Sequence, residues 1–303
     1  EFLEERYSNG GLRMDAASEI LWSKFINAAN HEDSTDGGLS LDRIENCRFL
    51  KNECDWLGGA VMTIGETTIR ECDFEGNDAA YRGGAFYQIK AGKAHVSYCR
   101  FIENTAGEDG GAITNFRPLT ISACIFRDNR AGDDGGALFN DTQLTVWNSS
   151  FIGNVAGDAG GAFRCEVSNS VSTFNNSTFH NNQAKHGPAI ILAKGTLNLR
   201  QVTILGTAPS PLRIWSGTLN LGNSIISSRK PGKEFLASLS MQSTRSANIH
   251  LGGNNLISNN LSMEHLFPPG TLTGTPENPV DPMLSPLGDH GGPTPTFLPR
   301  SGS

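Results

Sequence analysis

Five carboxylates are the residues whose types and spacing could do chemistry in this chain. Glu108 and Asp109, Asp133 and Asp134, and Asp158 each stand just before a glycine pair, at intervals of 25 residues. Carboxylate oxygens are what Ca²⁺ takes as ligands, so acids brought level on neighbouring turns of a repeat would offer a bridging calcium site. Without a cation they would be solvated turn residues that keep the surface soluble. A glycosidase would need two carboxyls across the sugar, and a lyase a basic group beside its acids. No basic row accompanies these: Arg48 and Arg100 occupy equivalent places with Asp73 between them, and Arg70, Arg117 and Arg127 fall elsewhere in the repeat. The seven histidines, His31, His95, His180, His186, His250, His265 and His290, share no spacing suited to zinc or to a triad. No catalytic set is legible, and the balance favours binding over catalysis. Trp56, Tyr81, Tyr87, Tyr98 and Trp147 are expected at outward or turn positions, where rings could stack on sugars.

What would bring such acids level is a repeat. Phe-x-x-Asn occurs at Phe49, Phe74, Phe101, Phe126, Phe151 and Phe179, in steps of 25, 27, 25, 25 and 28. Gly-Gly-Ala begins at Gly58, Gly83, Gly110, Gly135 and Gly160, in steps of 25, 27, 25 and 25. Two residues before each Phe stands Cys47, Cys72, Cys99, Cys124, Ser149 or Ser177, and three before that Ile44, Ile69, Val96, Ile121, Val146 or Phe174. A period near 25 is too short for a helical hairpin, and Leu119-x-Ile121 and Cys124-x-Phe126 alternate with period two. The change of parity between those pairs demands a corner at Ser122 or Ala123, and the double glycine supplies another where a side chain would clash or φ must turn positive. One such coil cannot bury its apolar side alone. Coils must therefore stack as parallel strands, with equivalent residues in columns.

The fold this implies is all-β: a single-stranded right-handed parallel β-helix of about 8–9 coils. The phenylalanines would form an internal aromatic spine and the asparagines a turn amide ladder. The cysteines read as small packing groups, since their neighbours in one row lie at the strand spacing, wider than a disulfide prefers. Residues 15–30 read as a short amphipathic helix with Asp15 as N-cap, covering the open end of the solenoid. The expected division is a cap over 1–40, the β-helix over 41–262, and a Pro/Gly-rich extended segment over 263–303 lying along the helix.

Bulk properties narrow the partners. Of 303 residues, 35 are glycine, 18% are charged and 37% hydrophobic, which describes a folded, turn-rich chain. A net charge of −7 argues against a nucleic-acid partner, which would need clustered Lys and Arg. No apolar run reaches the length of a membrane span, and the N-terminal residues lack the pattern of a signal peptide, as they would if one had been removed.

Gly-Gly-Ala and Phe-x-x-Asn on alternating corners, over about residues 44 to 187, resemble the repeat of the polymorphic outer-membrane proteins and related bacterial β-helix surface proteins. The stretch from Val280 to Thr296, with Asp281-Pro282-Met283-Leu284-Ser285-Pro286-Leu287 leading into Gly291-Gly292-Pro293-Thr294, resembles a segment of choice-of-anchor Q domain proteins. The family pattern runs on past Ser303, so the chain is expected to be truncated or processed, and with no autotransporter barrel its anchoring does not follow. These resemblances imply export and display on the outer surface of a bacterium. The expectation is a secreted or cell-surface binding and adhesion module whose partners are surface glycans, host or neighbouring-cell proteins, or copies of itself. A self-assembling filament or surface-layer subunit is the alternative, and a polysaccharide lyase or hydrolase the second. No cofactor is expected beyond the calcium already considered.

Overall fold

Period-two alternation in short apolar runs, broken by residues that accept a left-handed backbone, decides every strand of this protein. The computed structural model describes residues 3–5, 19–21, 23–26, 29–30, 43–63, 65–88, 92–206, 208–229, 239–241, 247–259 and 271–301. Its strands, two to six residues long, stack in four parallel sheets of 12, 10, 8 and 6 strands, each strand pairing with its equivalents one coil away. The result is a parallel β-helix, with seven steps from coil to coil between the strand Arg43–Glu45 and the strand Gly217–Gly222.

The columns are those the repeat demands. Phe49, Phe74, Phe101, Phe126, Phe151 and Phe179 are consecutive register partners, followed by Ile204, Ile226 and Ile257. Their rings stack 4.7–4.8 Å apart and within 6° of parallel, and all six are fully buried. The facing sheet contributes Ile44, Ile69, Val96, Ile121, Val146, Phe174, Leu199 and Leu221 in one column. The third supplies Val61, Phe86, Ile113, Leu138, Phe163, Ile190 and Leu212. Together they fill one continuous hydrophobic core.

Three left-handed corners close each coil. Between the aliphatic and phenylalanine sheets stand Asn46, Glu71, Tyr98, Ala123, Asn148 and Asn176 with φ of 44–54°, so the expected corner falls on Ala123. An L side chain in this region costs about 1–2 kcal/mol, and the next residue offsets that cost with hydrogen bonds to the neighbouring coil. Cys72 Sγ accepts the Cys47 N–H at 3.4 Å and donates to the Arg70 carbonyl at 3.1 Å. Ser149 Oγ does the same with Cys124 N–H at 3.2 Å and the Trp147 carbonyl at 2.8 Å. The cysteine column is thus a ladder of thiols and hydroxyls as well as a row of small packing groups, and all six cysteines are buried and outside any disulfide. At the second corner, Lys51, Glu103, Asp128 and Asn181 or a glycine precede the asparagine ladder. The inner carboxamides there bond both neighbouring coils: Asn104 Oδ1 accepts from Asn77 N and Nδ2 at 3.0 and 2.9 Å, and its Nδ2 donates to Asn129 Oδ1 and the Phe74 carbonyl.

The third corner divides labour between two glycines. Gly83 has φ of +67°, which glycine adopts freely. Gly84 does not, but a Cβ there would run into the carbonyl oxygens of Thr105 and Gly111 on the next coil.

The N-terminal expectation needs correction. The described residues of the stretch read as a helix are strands, Glu19–Leu21, Ser23–Ile26 and Ala29–Asn30, and they pair in register with the coil above. Ile20 takes the register position of Ile44, and Phe25 that of Phe49. The pattern was hidden because Asn27 falls one place short of completing Phe-x-x-Asn after Phe25. Leu3–Glu5 adds a further strand beside Ser23–Ile26, and the rest of residues 1–40 lies outside the described residues.

At the other end, Leu272–Thr273 adds a strand beside Leu256–Ile257. Residues 283–300 then double back as an antiparallel ribbon, with Gly288 and Thr296 exchanging both backbone bonds at 3.0 Å. The ribbon lies on the phenylalanine sheet from outside: Ser150 Oγ donates to the Pro295 carbonyl at 2.6 Å, Thr178 and Thr296 hydroxyls meet at 2.9 Å, and Phe297 packs edge-on to His180.

Candidate functional site

The carboxylates gather at the glycine corner, where backbone bonds fix two adjacent files. In the first, Tyr81 N–H bonds the Trp56 carbonyl, Glu108 N–H the Tyr81 carbonyl, Asp133 N–H the Glu108 carbonyl and Asp158 N–H the Asp133 carbonyl. In the second, the residues just before the glycine pairs follow one another: Leu57, Arg82, Asp109, Asp134, Ala159 and His186. All five sequence-predicted acids therefore lie where the repeat puts them, but in two environments. Asp133 is exposed and Glu108 and Asp158 are partly so, whereas Asp109 and Asp134 are each only 5% exposed.

Oxygens of Asp109, Asp133 and Asp134 come within 4.8 Å of one another. Glu108 and Asp158 stand outside that group, Glu108 against Arg82 at 3.2 Å and Asp158 facing His186 at 4.0 Å. No basic row runs beside the acids, but two arginines from different positions of the repeat reach them. Arg82 Nε lies 2.9 Å from Asp109 Oδ2, and Arg164 pairs with Asp134 and, at 3.1 Å, with Glu166. Asp134 also accepts the Ala159 N–H at 3.0 Å. Arg82 was legible as Arg-Gly-Gly at the place where the next two coils read Asp-Gly-Gly. Arg164 was not, because it comes from the strand beyond the corner, Phe163–Cys165, 30 residues from its partner.

These pairings set the electrostatics. Burial pushes the Asp109 carboxyl up to about 6, with Arg82 pulling it back and the Asp134 and Asp133 charges adding to the rise. Burial also raises Asp134, against the opposing pull of the Arg164 hydrogen bond. For Arg164 burial works against the charge, but the carboxylates of Asp134 and Glu166 outweigh it and hold the guanidinium up. Its guanidinium carbon sits 5.7 Å from the Trp215 ring centre, and beyond it His186 Nδ1 and Arg213 Nη1 meet at 3.0 Å. Arg82, Arg164, His186 and Trp215 are the members of the site that reading the sequence missed. A calcium ion here would draw on Asp109, Asp133 and Asp134, two of which already face an arginine.

The aromatic candidates divide as well. Trp56 and Tyr81 touch, with ring centres 4.1 Å apart, and head the carboxylate file. Tyr98 and Trp147 are 57% and 46% exposed, as outward positions should be. Tyr87 is only 4% exposed because Phe116 covers it, with ring centres 5.9 Å apart, so it offers no platform to a sugar.

A family model described as a right handed beta helix region matches residues 11–171. A search of curated proteins and a search of solved structures each gave no match. Among the described residues there is no helix long and apolar enough to cross a membrane. More than half of the sequence lies within the family match, and the stacked parallel coils repeat the same architecture beyond it: the chain belongs to the right-handed β-helix family.

Proposed function

We propose that this protein is a binding and adhesion module, released from or displayed on a bacterial surface, that takes a polysaccharide strand along its glycine corner. The observation that carries this reading is the file Trp56, Tyr81, Glu108, Asp133 and Asp158, one residue per coil on one exposed edge. Coils recur every 4.7–4.8 Å, as the stacked phenylalanines measure, close to the length of one sugar unit in an extended chain. The indole and phenol rings offer apolar faces to a pyranose, and the carboxylates accept from its hydroxyls. Arg82 and Arg164 neutralise the two buried acids behind this edge, and Arg82 also meets Glu108, so Asp133 is the edge carboxylate offered to a neutral ligand.

The test is affinity electrophoresis in gels carrying a panel of neutral polysaccharides. At least one should retard the protein, with Trp56→Ala and Asp133→Asn each weakening retardation at least fivefold at an unchanged melting temperature. Retardation that neither substitution alters would refute the assignment of this edge.

A hydrolytic reading is favoured by one observation: Asp109, held up to about 6, lies within 4.8 Å of Asp133, and a carboxyl with raised pKa beside a second carboxyl is what a glycosidase uses. Release of reducing ends from the retained polysaccharide, abolished by Asp109→Asn, would establish it. Retention without release would leave binding alone.

A further inference from the structure

The last residues of the third-sheet strands form a second amide column, and it is broken. Thr63, Gln88, Asn115 and Asn140 are consecutive register partners beside the seam that leads to the aliphatic sheet, and all four are fully buried. In the ladder at the second corner the amide N–H of one coil bonds the amide oxygen of the next, as Asn77 Nδ2 does Asn104 Oδ1. Asn115 follows that rule: its Nδ2 donates to Asn140 Oδ1 at 2.9 Å, and Asn140 Nδ2 goes on to the Thr142 carbonyl at 3.1 Å. Gln88 departs from it. Its Nε2 turns to the Gly65 carbonyl at 3.1 Å, and nothing donates to Asn115 Oδ1. Gln88 Oε1 and Thr63 Oγ1 likewise have no hydrogen-bond partner.

Three successive coils thus hold a buried oxygen at which no hydrogen is aimed. Neither amide can turn over to mend this. Gln88 Nε2 is held by the Gly65 carbonyl, and Asn115 Nδ2 by Asn140 Oδ1 and the Arg117 carbonyl, so reversal would set oxygen against oxygen. Buried acceptors of this kind persist where an ion or a water completes them. Charge decides which. Asp141, whose N–H bonds the Asn115 carbonyl at 3.3 Å, stands one coil beyond Asn115, and its Oδ1 is also buried without a hydrogen-bond partner. It has no ion-pair partner among the described residues, and Arg164, whose charge it feels, is taken by Asp134 and Glu166. Acceptors with one uncompensated negative charge call for a positive ion, since water brings hydrogens but no charge.

We infer that the coils enclose a site for a bare monovalent cation, sodium or potassium, between Gln88 Oε1 and Asn115 Oδ1, with Thr63 Oγ1 and Asp141 completing it. Register partners in a parallel sheet lie about 4.8 Å apart, a spacing at which one ion can touch both amide oxygens, protein oxygens replacing its water shell as in a carbonyl-lined filter. A divalent ion would exceed the single charge that Asp141 offsets. This site is internal and independent of the glycine corner. Thermal melts of the full chain in sodium chloride, potassium chloride and choline chloride at one ionic strength test it, because choline is too large to enter. The midpoint in sodium or potassium is expected to lie at least about 3 °C above that in choline, the preferred ion giving the larger rise. Asn115→Ala and the milder Asp141→Asn should each bring that difference below about 1 °C, whereas Asn129→Ala, in the unbroken ladder, should lower all three midpoints and keep it. Equal midpoints of the wild type in the three salts would assign the oxygens to water and overturn the ion, and so would a difference that Asp141→Asn leaves intact.

Discussion

Asn129→Ala removes one rung from the middle of the amide ladder. Asn129 Oδ1 accepts from Asn104 N and Asn104 Nδ2 at 3.0 and 2.9 Å, and its Nδ2 donates to Asn154 Oδ1 at 2.9 Å and the Phe101 carbonyl at 3.0 Å. The substitution leaves the Asn104 N–H without that acceptor where water does not reach, for about 1–3 kcal/mol, and forfeits three further bonds at about 0.5–1.5 kcal/mol each. A loss of about 4 kcal/mol is expected, read as a shift of the urea midpoint by far-ultraviolet circular dichroism at pH 7. Asn182→Ala should cost less, because Asn182 Nδ2 donates to the Phe151 carbonyl alone. Asn129→Asp separates hydrogen bonding from volume. One carboxylate oxygen can still accept from Asn104, but the other would face Asn154 Oδ1 and the Phe101 carbonyl, acceptor against acceptor. Its folded pKa must therefore rise above the unfolded value near 4. The sign follows: the variant keeps its stability below that value and loses it as pH rises through the folded pKa. An alanine variant losing less than about 1 kcal/mol, or an aspartate variant more stable at pH 7 than at pH 4, would refute the account of the ladder.

Other outcomes follow from the same structure. Gly84→Ala should cost at least about 2 kcal/mol by forcing a methyl against the Thr105 and Gly111 carbonyls, and Gly83→Ala should also be destabilising, since it strains φ and meets the Phe86 carbonyl; both are read in urea. Asp109, at about 6 in the folded state against an ordinary value of 3.8, binds more protons folded than unfolded between those values, so its contribution to stability declines as pH rises from about 4 to 6. Asp109→Asn should flatten that part of the stability profile; an unchanged slope would contradict the burial argument. Because Arg82 and Arg164 already face two of the three clustered carboxylates, a thermal melt with and without chelator should give the same midpoint, and a midpoint lowered by chelator would establish a bridging calcium ion. Burial raises the Cys72 and Cys99 thiols far above their ordinary value, so the cysteines should resist a thiol reagent until the chain unfolds, and Cys124→Ser, which copies Ser149 one coil on, should cost under about 1 kcal/mol.

The columns were legible in the sequence because a 25-residue step puts like on like: Phe74, Phe101 and Phe126 could be aligned before any coordinate, as could the acids Asp109 and Asp134. Two kinds of information were not available there. One is contact between different positions of the repeat. Arg164 reaches Asp134 across a corner, and Phe116 folds over Tyr87, through side-chain directions that no period encodes. The other is a coil whose residues depart from the consensus while its backbone does not. Around Ile20 and Phe25 helical spacing of apolar residues masked a strand, because pairing with the coil above outweighs local propensity in a stack.

The unequal steps along the phenylalanine spine from Phe49 to Phe179 trace to one seam. From the end of the third sheet to the matching aliphatic column the chain places three residues between Asn115 and Leu119 or Asn140 and Leu144, five between Gln88 and Ala94, and six between Cys165 and Ser172, while the columns on either side stay in register. Spare length is thus shed along a single edge, as slack is taken up in a spooled thread. A guest peptide spliced between Val167 and Ser170 would protrude there at a fixed height without disturbing a single rung, which makes this molecule a graduated scaffold for holding foreign loops at set distances from one another.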